Sequence, residues 1–241
     1  MKFNLEQKAL RRCIIEISHQ HNLSHLGSCL SAVDIIAEIY KIKQRNERFV
    51  LSCGHAGVAL YVVLGKFGFL KSSDIGHLHI HPDRVRGKGI DVSTGSLGQG
   101  LPIALGMALA DKKKNVYCLI SDGECAEGSI WEALRVGAEQ KLENLKIILN
   151  ANGWGAYDPV SLAALLKKIK GFGYQVNKVD GHNPSQLSAA LKTKPSQQPL
   201  MIFAKTNVEQ FPFLKGQDAH YHVMTADEYQ IAKELLAPLN N

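Results

Sequence analysis

The sequence lacks most of the features that mark secreted, membrane or nucleic-acid-binding chains. Its five cysteines (Cys13, Cys29, Cys53, Cys118 and Cys125) are an odd number with no CxxC spacing. Neither a disulfide framework nor a thiolate metal site is therefore expected, and a reducing, cytoplasmic setting fits that usage. No stretch approaches about 18 uninterrupted apolar residues, so no membrane contact is expected. The opening MKFNLEQKALRRCIIEIS is charged throughout and lacks the apolar core of a signal peptide. Aromatic residues are few, and none interleaves with the basic clusters Lys112-Lys113-Lys114 and Lys167-Lys168-Lys170. A nucleic-acid groove wants that interleaving, so the net charge of +6 reads as solvated faces, compatible with a small anionic ligand. Internal repeats and low-complexity tracts are also missing.

What is present is an ordinary globular composition, 45% hydrophobic over 241 residues, enough to bury a core as one domain spanning 1–241. Leu5, Leu10, Ile14, Ile15 and Ile17 recur at helical spacing, and Ala32, Ile35, Ile36 and Ile39 repeat the pattern, with Ser31 placed to cap that second helix. After RFVLSCGHAG a helix runs to about Phe67, and KSSDIGHLHIHPDRVRGKGID reads as a long loop. From Gly95 onward helical segments alternate with the apolar runs VYCLI, LKIILNA, YQVNKVDG and LMIFAKT. Continuous β-branched runs are what parallel strands covered on both faces show. The expected fold is α/β, a doubly wound, mainly parallel sheet with helices on both faces. A second long loop is expected after Thr206, before a final helix from about Ala226.

In such sheets ligands sit beyond the carboxyl ends of the strands. Asp122 follows one strand and Asn152 the next, about 30 residues later, so both reach the same sheet edge, beside Gly123 and Gly153. Two hard oxygen ligands plus a phosphate is a common way to hold Mg²⁺ (or Ca²⁺). A rival site is HLHIH, where His77, His79 and His81 alternate and on a strand would share one face, as a Zn²⁺ or Ni²⁺ cluster needs.

These residues carry a family resemblance. SDGECAEGS followed by ILNANG resembles the thiamine diphosphate fingerprint, and SHLGSCLSAVDIIAEIY, RFVLSCGHAGVALYVVLGKFGFL, DVSTGSLGQGLPIALGMALA, YQVNKVDGH and IFAKT resemble blocks of the N-terminal part of transketolase, in family order. The resemblance implies thiamine diphosphate and Mg²⁺ as cofactors. It makes Asp122, Asn152 and the carbonyl of Trp154 the metal ligands, and it brings His55, Ser121, Gly123 and Asn152 to the diphosphate. Gly95, Ser96 and Leu97 would lie against the cofactor rings. His25 and His81 would face the reacting sugar, and Glu127 would lie at a subunit interface, linking active sites.

The match also departs from the family. Ser121 stands where the first glycine of GDG is usual, and NVEQFPFLKGQDAHYHV replaces a glycine-rich loop, leaving His220 or His222 to supply its histidine. The resemblance covers roughly residues 5–206 and stops before the aminopyrimidine-binding domain, which carries the glutamate that activates the cofactor. It therefore implies the N-terminal subunit of a split transketolase, inactive alone, that transfers a two-carbon ketol unit between sugars or sugar phosphates. With a C-terminal subunit it would form an α2β2 heterotetramer. Two alternatives stay open: a subunit of another thiamine diphosphate enzyme of a specialised sugar pathway, and a non-catalytic remnant that has lost the metal site.

Overall fold

The computed structural model describes residues 2–75, 77–194 and 198–237. Helix α1 (Leu5–Gln20) begins with a reciprocal capping box, in which the Asn4 side chain accepts the Gln7 N–H and the Gln7 side chain accepts the Asn4 N–H. Helix α2 (Leu26–Ile42) follows a turn in which His25 takes a left-handed conformation, φ +66°. It starts well before Ser31, the expected cap. Ser31 instead lies inside the helix and donates to the Ser28 carbonyl, because the reversal at His25 starts the helix without a side-chain cap. Residues from Leu26 to Tyr40 are all buried, which makes α2 the central helix of the fold.

Strand β1 (Arg48–Leu51) precedes helices α3 (Gly57–Lys66), α4 (Ser72–Ile75) and α5 (Gly100–Ala110). Then come β2 (Val116–Ser121), α6 (Gly128–Glu139), β3 (Leu145–Ala151), α7 (Leu162–Gly171), β4 (Gln175–Asp180), α8 (Pro184–Lys192) and β5 (Leu200–Lys205). Helices α9 (Asp218–Tyr221) and α10 (Ala226–Leu235) complete the order. The long loop expected before Gly95 thus contains α4, and the one after Thr206 contains α9. No helix among the described residues is long and apolar enough to cross a membrane.

All strand pairs are parallel, in the order β1-β2-β3-β5-β4. Alternate residues of β2 feed two separate cores. Tyr117 and Leu119 join the one built on α1, α2, α3 and α8, while Val116, Cys118 and Ile120 join the one built on α5, α6 and α7. Two covered faces explain the unbroken apolar runs of β2, β3 and β5. Strand β4 differs: it is an edge strand, and none of its six residues is fully buried. Its polar Asn177, Lys178 and Asp180 fit an edge.

One buried charge cluster ties the first core together. The Arg11 guanidinium, 0% exposed, donates to both oxygens of Asp34 at 2.9 and 2.6 Å. His182 Nδ1 lies 2.8 Å from the same carboxylate, and His182 Nε2 accepts the Asn207 N–H at 3.0 Å. The cluster fixes α1, α2, the turn after β4 and the loop that leaves β5. Burial alone would raise the Asp34 carboxyl, but the Arg11 and His182 donors hold it below the usual carboxylate range.

Candidate active site

Parallel strands bring the residues after β1, β2, β3 and β5 to one edge of the sheet. Asp122, buried at the end of β2, accepts the Gly123 N–H on one oxygen (3.0 Å) and the Gly153 N–H on the other (2.6 Å). Burial pushes its carboxyl up to about 7, against the lowering by those N–H groups. No cation pairs with Asp122 among the described residues. Asn152 Oδ1 accepts the Trp154 N–H at 2.9 Å, so β3 ends in a tight turn that brings the Trp154 carbonyl round. A Cβ on Gly123 would lie 3.0 Å from Gly155 Cα and 3.4 Å from that carbonyl. Two oxygen-bearing side chains and a carbonyl thus share one corner with bare backbone, a donor set suited to a hard divalent cation beside a phosphate.

Four histidines close the other side. His25 is 5.7 Å, centroid to centroid, from both His55 and His81, and 4.5 Å from His220; His55 and His220 are 5.0 Å apart. His55, His220, Leu97, Ser121, Gly123 and Asn152 line one narrow cleft. Burial, and then the neighbouring His220 and His81, lower the His25 pKa to about 4. The same causes depress His55, and burial followed by His81 depresses His220. All three rings are neutral near pH 7. His25 Nδ1 is buried without a hydrogen-bond partner, an exception to the rule that buried polar groups are paired.

His220 reaches the cleft because α9 is pinned over the turn after β3. Gln217 Nε2 and the Tyr221 hydroxyl both donate to the Ala156 carbonyl, at 2.9 and 3.1 Å. The His220 carbonyl then accepts the His25 N–H at 2.9 Å, and its ring Nδ1 shares a 3.0 Å hydrogen bond with Ser28 Oγ. His222 goes elsewhere. It stacks on Phe213 and meets Glu228 at 2.9 Å, because it follows the end of α9 and turns toward the start of α10. Of the two histidines expected to serve this loop, only His220 enters the cleft.

The remaining expected residues divide. Gly95 lies against His81, where a Cβ would come within 3.1 Å of the ring, and Leu97 lines the cleft, but Ser96 is exposed. Glu127 is also exposed, at the N-terminus of α6, with no side-chain capping bond. In HLHIH no strand forms; His77 and His79 are exposed while His81 packs against His25. Among the described residues no three His, Cys, Asp or Glu side chains gather to hold a metal, which removes the rival cluster. Two residues are new. Ser28 is marked in the sequence only by its place one helical turn after His25. Glu124, for which the sequence offers no role, is fully buried and accepts from Ser52, Gly98 and Ser121.

Comparisons with known proteins place this fold in a family. A family model described as the transketolase, thiamine diphosphate binding domain matches residues 5–237. Transketolase of Homo sapiens is 37% identical over 222 residues, covering 82% of this chain and 36% of its own length. An apulose-4-phosphate transketolase subunit of Actinobacillus succinogenes is 30% identical over 259 residues, covering 95% and 94% respectively. A crystal structure of transketolase from Campylobacter jejuni matches with a TM-score of 0.84 at 28% identity, over 98% of this chain and 43% of that one. The chain therefore spans little more than a third of the human relative but nearly the whole of one named as a subunit. By the matched span and the fold it shares, the chain belongs to the transketolase family as its thiamine diphosphate-binding domain.

Proposed function

We propose that the chain is the N-terminal subunit of a split cytoplasmic transketolase, transferring a two-carbon ketol unit from a ketose (phosphate) to an aldose (phosphate). The observation that carries this reading is one cleft lined by His55 and His220 together with Ser121, Gly123, Asn152 and Trp154, with His25 and His81 packed against those imidazoles and Asp122 beside Gly123. The donor set fits Mg²⁺ or Ca²⁺: Asp122 is a buried carboxylate with no cation to offset its burial, and Asn152 and the Trp154 carbonyl stand beside it. Backbone at Ser121 and Gly123, with His55 and His220, would hold the diphosphate. Bound thiamine diphosphate supplies the carbon nucleophile for breaking and forming a carbon–carbon bond beside a carbonyl. Neutral His25, with His81 beside it, would then bind substrate hydroxyls and pass protons, the partnerless His25 Nδ1 free to take one. Gly95 and Leu97 would exclude water from the cofactor rings, and exposed Ser96 and Glu127 would face the second subunit.

The partner would supply the aminopyrimidine-binding domain and its glutamate, giving an α2β2 heterotetramer. Support comes from the Actinobacillus relative, a subunit by name and close to this chain in extent. That relative's named substrate also favours a second reading, in which the donor is a ketose of a specialised sugar pathway. The test is calorimetric titration of thiamine diphosphate with Mg²⁺ into the pair reconstituted with a C-terminal transketolase subunit, followed by ketol-transfer assays with several ketoses. We expect saturable binding, weakened more than about 100-fold in Asp122→Ala, since even outer-shell changes cost about 10–100-fold at metal sites. Absence of binding by the wild-type pair would leave a non-catalytic remnant as the reading, with Ser121 the first residue to replace by glycine.

A further inference from the structure

Glu124 sits two residues beyond Asp122 and touches three parts of the chain at once. Its Oε1 accepts from the Ser52 hydroxyl at 2.7 Å and from the Gly98 N–H at 3.0 Å; its Oε2 accepts the Ser121 N–H at 3.0 Å. Ser52 follows β1, Gly98 belongs to the loop before α5, and Ser121 ends β2. The Glu124 N–H returns a bond to Ser121 Oγ at 3.2 Å, which gives the serine at the usual glycine position a partner of its own.

The sheet does not need this clamp. β1 and β2 are registered by their own ladder, continued by the Ser52 N–H to the Leu119 carbonyl at 2.9 Å. The loop does need it. Among the described residues, the hydrogen bonds made by residues 95–98 both fall on Gly98: its N–H to Glu124, and its carbonyl from Ser129 Oγ at 2.8 Å. Gly98 has φ +79°, and a Cβ there would come within 2.5 Å of Ser129 Oγ and 2.7 Å of Glu127 Cβ, so only glycine fits between the two grips. Upstream, the loop is next held at Thr94, whose hydroxyl donates to the Leu51 carbonyl at 2.7 Å. Gly95, Ser96 and Leu97 hang between these anchors, and Leu97 lines the cleft.

We infer that Glu124 is a positioning residue of the cofactor cleft: it fixes the Gly95-Ser96-Leu97 segment over the site by accepting from three donors on three segments, and acts on thiamine diphosphate only through that segment. This rests on the thiamine diphosphate reading above. A carboxyl group with both oxygens accepting is what the position requires, because all three partners are donors. Glutamine keeps the shape but turns one oxygen into an NH₂, which sets a donor against at least one buried donor.

The test uses two readouts on Glu124→Gln. In the full chain, NMR-detected amide exchange at Gly98 and Ser121 reads the clamp without any cofactor. In the reconstituted pair, calorimetry reads thiamine diphosphate affinity, and steady-state kinetics separate it from the KM for a ketose donor. We expect Gly98 exchange to rise and cofactor affinity to fall, each by about tenfold or more, the cost of stranding a buried donor. Donor KM should stay unchanged. Ser52→Ala, which leaves two of the three donors in place, should give a smaller change in the same direction and serves if Glu124→Gln fails to fold. Unchanged exchange at both Gly98 and Ser121 overturns the clamp. Faster Gly98 exchange with full cofactor affinity overturns the positioning role. A wild-type pair that binds no cofactor overturns the functional reading and the role together, while Gly98 exchange still judges the clamp on its own.

Discussion

Two buried groups of titratable side chains stand on this chain, and they are satisfied to different degrees. Around His182 both ring nitrogens have partners: Asp34 on one side and the Asn207 N–H on the other, with Arg11 completing the charge balance. Around His25 the ring faces three other imidazoles, and its Nδ1 has no partner at all. A closed network of this kind rigidifies the fold, whereas an open one keeps hydrogen-bonding capacity for something that arrives later. His19 Nδ1 in α1 is also buried without a partner, but its ring stacks on Tyr229 away from the cleft; what sets the second group apart is that His25 lacks a partner while it packs against the cleft-lining rings of His55 and His220.

The largest effect expected on that comparison comes from the closed group. Arg11→Ala leaves the Asp34 carboxylate buried beside a histidine alone, and should cost about 3–5 kcal/mol of stability, the usual penalty for removing one partner of a buried pair. Urea unfolding measures it; a loss below about 1 kcal/mol, the scale of an exposed pair, would show that the cluster is not the brace described.

A smaller effect separates the two groups by pH. His25 has a pKa of about 4 when folded against about 6.5 unfolded. Between those values the unfolded chain binds the proton and the folded chain does not, so stability falls as pH drops through that window and levels off below it. Depressed His55 and His220 act in the same direction. Asp34 behaves differently: its pKa is lowered on folding, so its contribution is present above the ordinary carboxylate pKa of about 3.9 and is lost only as pH falls below that. Buried Asp122, whose carboxyl is raised to about 7 in the folded chain, acts the other way across the same window, so the check is the difference between variants: going from pH 7 to pH 5, the urea midpoint should shift further downward in the wild type than in His25→Asn. Equal drops in the two would remove His25 from the account.

The smallest effect belongs to the histidine that left the site. His222→Ala should change stability by less than about 1 kcal/mol, the range of an exposed or half-exposed ion pair, and should leave thiamine diphosphate affinity of the reconstituted pair as it is. His220→Ala, in the same assay, should weaken it; identical behaviour of the two variants would undo their separation.

Much of this was legible in local pattern. The apolar runs at Val116, Leu145 and Leu200 became buried parallel strands because both faces are covered, and Asp122 and Asn152 met because neighbouring parallel strands share an edge. Strand β1 was hidden because four residues run straight into a 3-10 turn, with no periodicity long enough to read. Ser31 looked like a cap because no sequence rule announces that His25 will turn left-handed. The Arg11–Asp34–His182 cluster and the Glu124 clamp were out of reach for one reason. Their partners lie 23, 148 and 72 residues apart in sequence, and only the folded topology brings them together.

The contact between Ser28 and His220 has a consequence in time. These residues are 192 positions apart, yet both are needed to build one wall of the cleft. During synthesis the first helices and strands can form before α9 is made, and the cleft stays open on that side until it is. Contacts of such long sequence separation are slow to close, so cofactor competence should be the last property this chain acquires. A nascent chain stopped short of His220 would be unable to complete the pocket.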